Sequence, residues 1–176
     1  MNSKTKNEIY QLSFAAIFTA FLAIISQISI MTPFSVPVSF QIFAVCLCGY
    51  TLKLKWAFLS VITYIALGLL GLPIFSNFRG GIGVLIEITG GYIIGFMPLV
   101  VICAIPFAQK QIFKISLGII GVLICHIIGT AYLSVLSHTN FVSSFIVSSL
   151  PFILKDIILC ILAYYLSGRL KKVFKI

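Results

Sequence analysis

The chain has 176 residues, of which 61% are hydrophobic and only 9% charged. Soluble domains carry about a quarter charged residues, so this chain has too few ions to coat a water-exposed surface, and it is far too apolar for disorder. A soluble enzyme is excluded, and the net charge of +9 must be located before it is read as nucleic-acid binding.

In chain order, runs free of Asp, Glu, Lys and Arg cover residues 9–52, 56–78, 88–109 and 115–154. One membrane helix needs roughly 20 apolar residues. The first run therefore holds two spans, parted at Pro33 and Pro37. The last run breaks at Ser137-His138-Thr139-Asn140. The expected architecture is an all-α, polytopic membrane protein: a single domain over residues 1–176 with six helices, near 9–30, 38–52, 56–72, 88–109, 115–136 and 146–168. Six spans put both termini on one side. That side carries Lys4, Lys6, Lys53, Lys55, Lys110, Lys114, Arg169, Lys171, Lys172 and Lys175, ten of the twelve basic residues, which makes it cytoplasmic by the positive-inside rule. Membrane orientation thus accounts for the basic surplus, and no nucleic-acid partner is expected. The first apolar run outlasts a signal-peptide core and lacks a small-residue cleavage site, so no removable leader is expected.

The sequence has no G-x-x-x-x-G-K-[ST] phosphate loop. Work driven by ATP would need a separate engine. The cysteines, at 46, 48, 103, 125 and 160, all sit in apolar runs, and only Cys46 and Cys48 are near one another in sequence. They read as small buried hydrophobes rather than as a disulfide framework or zinc site. His126 lies mid-helix without a carboxylate, His or Cys at ligand spacing and reads as a hydrogen-bonded packing residue. No cofactor or metal is expected.

Three features do not fit a plain bundle. Lys155 and Asp156 interrupt the last apolar run. Asp156 is twelve residues from Gly168, roughly 18 Å along a helix and slightly beyond the bilayer midplane. A charge at that depth costs at least about 2.5–3.5 kcal/mol, which points to a polar site inside the bundle. Adjacent residues point about 100° apart on a helix, so the two are not expected to pair simply with each other. Second, the stretch from 68 to 95 holds glycines at 68, 71, 80, 81, 83, 90, 91 and 95 together with Pro73, Asn77 and Arg79. Irregular backbone at membrane depth is tolerated where it lines a cavity. Arg79 can receive an anionic group there in a forked contact or pair with Glu87, and Asn77 and Tyr92 supply further polar groups. Third, Ala16 and Ala20, with Ala15, Thr19 and Ala23, form small-x-x-x-small stripes that admit a second helix, from this chain or from another subunit.

The order AAIFTAFLAIISQISI, P-x-x-x-P-V-S-F-Q at 33–41, Y-x-x-L-G-L-x-G-L-P-x-F at 64–75, G-G-x-G at 80–83 and T-G-G-Y-x-x-G-F at 89–96 resembles the BioY family, the biotin-binding S components of energy-coupling-factor (ECF) transporters. The resemblance runs from about Leu12 to Leu166. It implies a six-helix bacterial inner-membrane protein that captures biotin from outside and joins a transmembrane coupling subunit and two ATPases. By that resemblance Asp156 meets the ureido ring, Asn77 lies in the loop where some members bind it with asparagine, and Tyr92 is the tyrosine of the T-G-G-Y motif. Gln41 closes the first motif and is placed with them. Ala16 and Ala20 resemble the surface offered to the coupling subunit. The family's usual Gly-Pro before Thr-Gly-Gly-Tyr is Glu87-Ile88 here, and its lysine one turn after the aspartate is Leu159. The ligand carboxylate is then left to Lys155 or Arg79.

Rival readings are an S component for another vitamin, a stand-alone biotin facilitator, and a structural membrane partner. An integral-membrane enzyme is the reading from another class. Three acidic residues in the whole chain leave little with which to build a Mg²⁺ site or an acid–base pair.

Overall fold

The computed structural model describes residues 3–30, 38–106 and 110–174; Pro33 and Pro37, expected to part the first two spans, lie outside them. Helix α1 runs Ser3–Ser26 and is followed by a two-residue antiparallel pair, β1 (Ser29–Ile30) and β2 (Val38–Ser39), with Ser29 opposite Ser39 and Ile30 opposite Val38. Helices α2 (Gln41–Thr51) and α3 (Leu54–Leu69) come next, then a 3₁₀ turn at Ser76–Phe78 and the single turn α4 (Gly83–Ile86). Helices α5 (Gly90–Cys103), α6 (Gln111–Leu136), α7 (Phe141–Ser148) and α8 (Leu150–Phe174) complete the order.

Among the described residues, three helices are long and apolar enough to cross a membrane: Thr5–Ser26 within α1, then α6 and α8. Helices α2, α3 and α5 are apolar but shorter. Along α8, Leu154, Ile158, Leu162 and Tyr165 are exposed at one-turn spacing, an outward apolar stripe that suits lipid and not water.

Several expected boundaries are corrected. The first helix ends at Ser26 instead of near 30, where the chain turns into β1. The second begins at Gln41 instead of 38, because Val38 and Ser39 pair as β2. The third stops at Leu69 instead of 72, since Gly71 takes a φ of 103°, a conformation that glycine adopts without steric cost. The fourth is shorter at both ends than 88–109. The sixth, expected over 146–168, is two helices: Asn140 caps α7 by accepting the Val142 N–H at 2.9 Å, and α8 starts anew at Leu150, with Pro151 in its first turn where no N–H is missed.

Among the described elements, helices α5 and α6 share the most extensive contact. A Cβ on Gly91 would lie 3.1 Å from the Gly129 Cα, one on Gly95 2.8 Å from the Cys125 Sγ, and one on Gly121 3.0 Å from the Leu99 Cδ1. The pairs 91–129, 95–125 and 99–121 step by four in opposite directions, as antiparallel helices do when small residues let their backbones meet. Gly95→Ala is therefore expected to cost about 1–3 kcal/mol, read as a lower unfolding temperature in detergent. Helix α1 is tied to α3 through Thr19, whose hydroxyl lies 3.1 Å from the Ser60 carbonyl.

The described cysteines are free and buried. Sequence spacing joins Cys46 to Cys48, but the fold sets Cys46 beside Cys103 and Cys160 where α2, α5 and α8 converge.

Candidate functional site

At one end of the bundle, β2, the start of α2, the loop after α3, the first turn of α5, mid-α6 and the first turns of α8 surround a small cavity of about 60 Å³. Gln41, Arg79, Tyr92, Lys155 and Asp156 all line it, with Ile42, Phe75, Ile93, Phe96 and Phe152 as its apolar wall. Five of the six residues expected to bind substrate are thus brought together from four separate segments. The sixth, Asn77, sits next to the lining residue Ser76 in a left-handed conformation, φ 60°, and its Oδ1 accepts the Ser29 hydroxyl at 3.0 Å. It is not among the residues lining the cavity.

Asp156 is buried, and its two oxygens face different partners. Oδ2 lies 3.2 Å from the Nε2 of His126. Oδ1 has the Lys155 ammonium 2.8 Å away but accepts no directed hydrogen bond among the described residues. The expectation that Lys155 and Asp156 do not pair is corrected here. Their Cα–Cβ bonds diverge, yet the long lysine stem curls back to the carboxylate. The same ammonium donates to the Ser39 carbonyl at 2.7 Å, pinning β2 against α8.

His126 is the residue that sequence reading missed. Its partner is thirty positions away on another helix, so no local spacing reveals it. The carboxylate sets its tautomer: Nε2–H donates to Asp156, leaving Nδ1 to accept the Ser149 hydroxyl at 3.1 Å. Ser149 Oγ also lies 2.7 Å from the Thr130 hydroxyl and 2.9 Å from that of Tyr92. Ser149 sits in the break between α7 and α8, so this break delivers a hydroxyl into the network that orients Asp156. His126→Phe removes the carboxylate's donor and is expected to weaken ligand binding about tenfold, the loss of one hydrogen bond to a charged group. His126→Gln, which can still donate, is expected to recover part of that loss in an equilibrium binding assay.

Arg79 is already engaged. It pairs with the Glu87 carboxylate, donates to Thr89 Oγ1 at 3.1 Å and to the Ser76 carbonyl at 3.3 Å. The bend that presents it closes between Phe75 N–H and the Arg79 carbonyl at 2.9 Å. Gln27 holds that bend from α1's end: its amide donates to the Phe75 carbonyl at 3.2 Å and accepts the Phe78 N–H at 2.9 Å. Gln41 holds it from the other side. Its Oε1 accepts the Ser39 and Ser76 hydroxyls at 2.9 and 2.8 Å, and its Nε2 donates to the Tyr64 oxygen at 2.8 Å. Tyr92 donates toward Ser148, and a Cβ on Gly129 would fall 2.4 Å from its ring, so only glycine there admits the tyrosine.

The whole chain, residues 1–176, matches the model of the BioY family. It is 36% identical over 165 residues to the biotin transporter BioY of Thermotoga maritima, covering 92% of this chain and 96% of that one. The chain belongs to the BioY family. A probable biotin transporter BioY of Pyrococcus horikoshii is 37% identical over 161 residues, with the same coverage. Among solved structures, the S-component for biotin from an ECF-type ABC transporter matches this BioY-family chain with a TM-score of 0.88 at 28% identity, over 98% of this chain and 95% of that one.

Proposed function

We propose that this BioY-family chain is the membrane-embedded S component that captures biotin from the extracellular side for ATP-driven uptake, with six spans and both termini in the cytoplasm of a bacterial cell. The observation that carries the reading is Asp156, a buried carboxylate with one oxygen free of directed hydrogen bonds, set in an apolar-walled cavity beside two cations. Biotin presents two ureido N–H donors, an apolar bicyclic body and a carboxylate. Asp156 Oδ1 accepts from the ureido ring, the Phe75, Phe96 and Phe152 rings and Tyr92 enclose the apolar part, and Asn77 reaches the ureido oxygen once its loop moves. The ligand carboxylate falls to Lys155, whose contacts with Ser39 and Asp156 are exchangeable, more readily than to Arg79, which would have to leave Glu87 and Thr89. Gln41 acts by holding the wall in place.

The cavity is smaller than the roughly 300 Å³ of ordinary ligand pockets. Binding therefore requires β2 and the loop around Arg79 to move outward and close again over the ligand. Release inward is driven by association with a coupling subunit and two ATPases, which favour a different state from the one biotin favours. A stand-alone facilitator and an S component for another vitamin use the same fold. Equilibrium binding of labelled biotin to the purified chain, with desthiobiotin, riboflavin and thiamin as competitors, separates them. Stoichiometric binding competed by desthiobiotin alone supports the reading, and a folded sample that ignores biotin overturns the substrate. Uptake with and without the coupling module then decides whether the chain works alone.

A further inference from the structure

The opposite end of the bundle holds a second and much larger cavity, an open bowl of about 930 Å³ between the ends of α2, α5, α6 and α8. Lys53, Lys55, Lys114 and Lys171 line it, with the Tyr164 and Tyr165 rings, and no carboxylate is among its lining residues. Lys114, near the start of α6, and Lys171, near the end of α8, are both partly buried in the wall of this one bowl. Neither has an acidic partner within ion-pair distance among the described residues, where the only ion pairs join Arg79 to Glu87 and Asp156 to His126 and Lys155. Glu8 borders a separate depression, which Lys53 and Lys55 also line. The Lys114 carbonyl is held by the Tyr50 hydroxyl at 3.2 Å and Gln111 by the Tyr165 hydroxyl at 3.0 Å, so the wall carrying the first lysine is fixed.

Partly buried lysines that share one cavity without an acidic partner are costly to keep charged unless an anion joins them. In the six-span reading, on which this inference rests, the bowl opens at the cytoplasmic boundary, at headgroup depth, and basic pockets between helices at that depth suit anionic lipid headgroups. From this arrangement we infer that the bowl binds a phosphate-bearing anion between Lys114 and Lys171, with Lys53 and Lys55 at its rim. The tyrosine rings and the apolar ends of the helices favour a lipid phosphodiester over a free phosphate, because they leave room for the glycerol and the first methylenes.

The test uses the full chain in detergent, with phosphatidylglycerol, phosphatidylcholine or glycerol 3-phosphate added, and counts retained adducts by native mass spectrometry. Wild type is expected to retain phosphatidylglycerol over phosphatidylcholine. The double variant Lys114→Gln/Lys171→Gln is expected to lose that preference roughly 25-fold, at about a factor of five per lysine near an anionic surface. Lys114→Arg/Lys171→Arg and Lys172→Gln, an exposed lysine outside the bowl, are expected to keep it. Glycerol 3-phosphate adducts that match those of phosphatidylglycerol would assign the site to a soluble phosphate. Equal retention of both lipids without phosphate binding, or an unchanged preference in the glutamine double variant, overturns the site. Biotin binding in the same samples reports the fold and the substrate reading separately. Labelling of Lys172→Cys from one side of oriented vesicles reports the topology, so a failure of either reading is told apart from a failure of the bowl.

Discussion

Asp156→Asn is expected to weaken biotin binding by about 100-fold while leaving the protein folded and inserted. The amide copies the carboxylate's shape but not its two acceptors. If its oxygen keeps the His126 Nε2–H, its NH₂ takes the place of Oδ1 and turns a donor toward the ligand's ureido N–H and the Lys155 ammonium. If it flips, the clash moves to His126. Either arrangement loses at least one charge-assisted hydrogen bond, at about 1.5–3 kcal/mol, and adds a donor–donor contact. Insertion is not harmed, because a neutral side chain is less costly in the bilayer than a carboxylate. Titration with labelled biotin measures the effect. An affinity within about threefold of wild type, a change below 1 kcal/mol, would remove Asp156 from the site.

Ala16→Leu combined with Ala20→Leu is expected to abolish most coupled uptake while leaving biotin affinity unchanged. The fold separates two small-residue stripes that look alike in sequence. Ala15 and Thr19 face inward, where Thr19 meets Ser60, whereas Ala16 and Ala20 are exposed on the outer face of α1. Larger side chains on that face touch nothing inside the chain, so the purified protein should bind as before. In a close contact with a coupling helix they overfill the seam by about 1–3 kcal/mol, enough to reduce assembly roughly tenfold. Uptake in cells that carry the coupling module, at matched expression, checks it. Undiminished uptake would place the partner elsewhere.

Much of the site is legible in the sequence because membrane burial makes polar residues conspicuous. Lys155, Asp156 and Arg79 stand out against apolar neighbours, and the fold gathers them round one cavity. What stays illegible depends on distant pairing. His126 looks inert until α8 brings Asp156 to it. The thiols of Cys46, Cys103 and Cys160 meet only because three helices cross. The α7–α8 break escapes notice because Pro151 suits a helix start as well as a loop, and the polar Ser148-Ser149 pair is short. The expected separation of Lys155 from Asp156 fails for a simpler reason: ideal helix angles describe Cβ directions, not the reach of a four-carbon stem.

The contracted cavity also has a kinetic meaning. A pocket with room for only a few waters at rest must open before it can fill, and only the open fraction of molecules can take up ligand. The Lys155–Ser39 contact contributes to that fraction from the closed side. Association would then run below the diffusional limit, and dissociation, which requires the same opening against a filled and better-packed interior, would be slower still. A scavenger working at trace concentrations gains from that asymmetry, since long residence lets a rarely met molecule wait for the transport step.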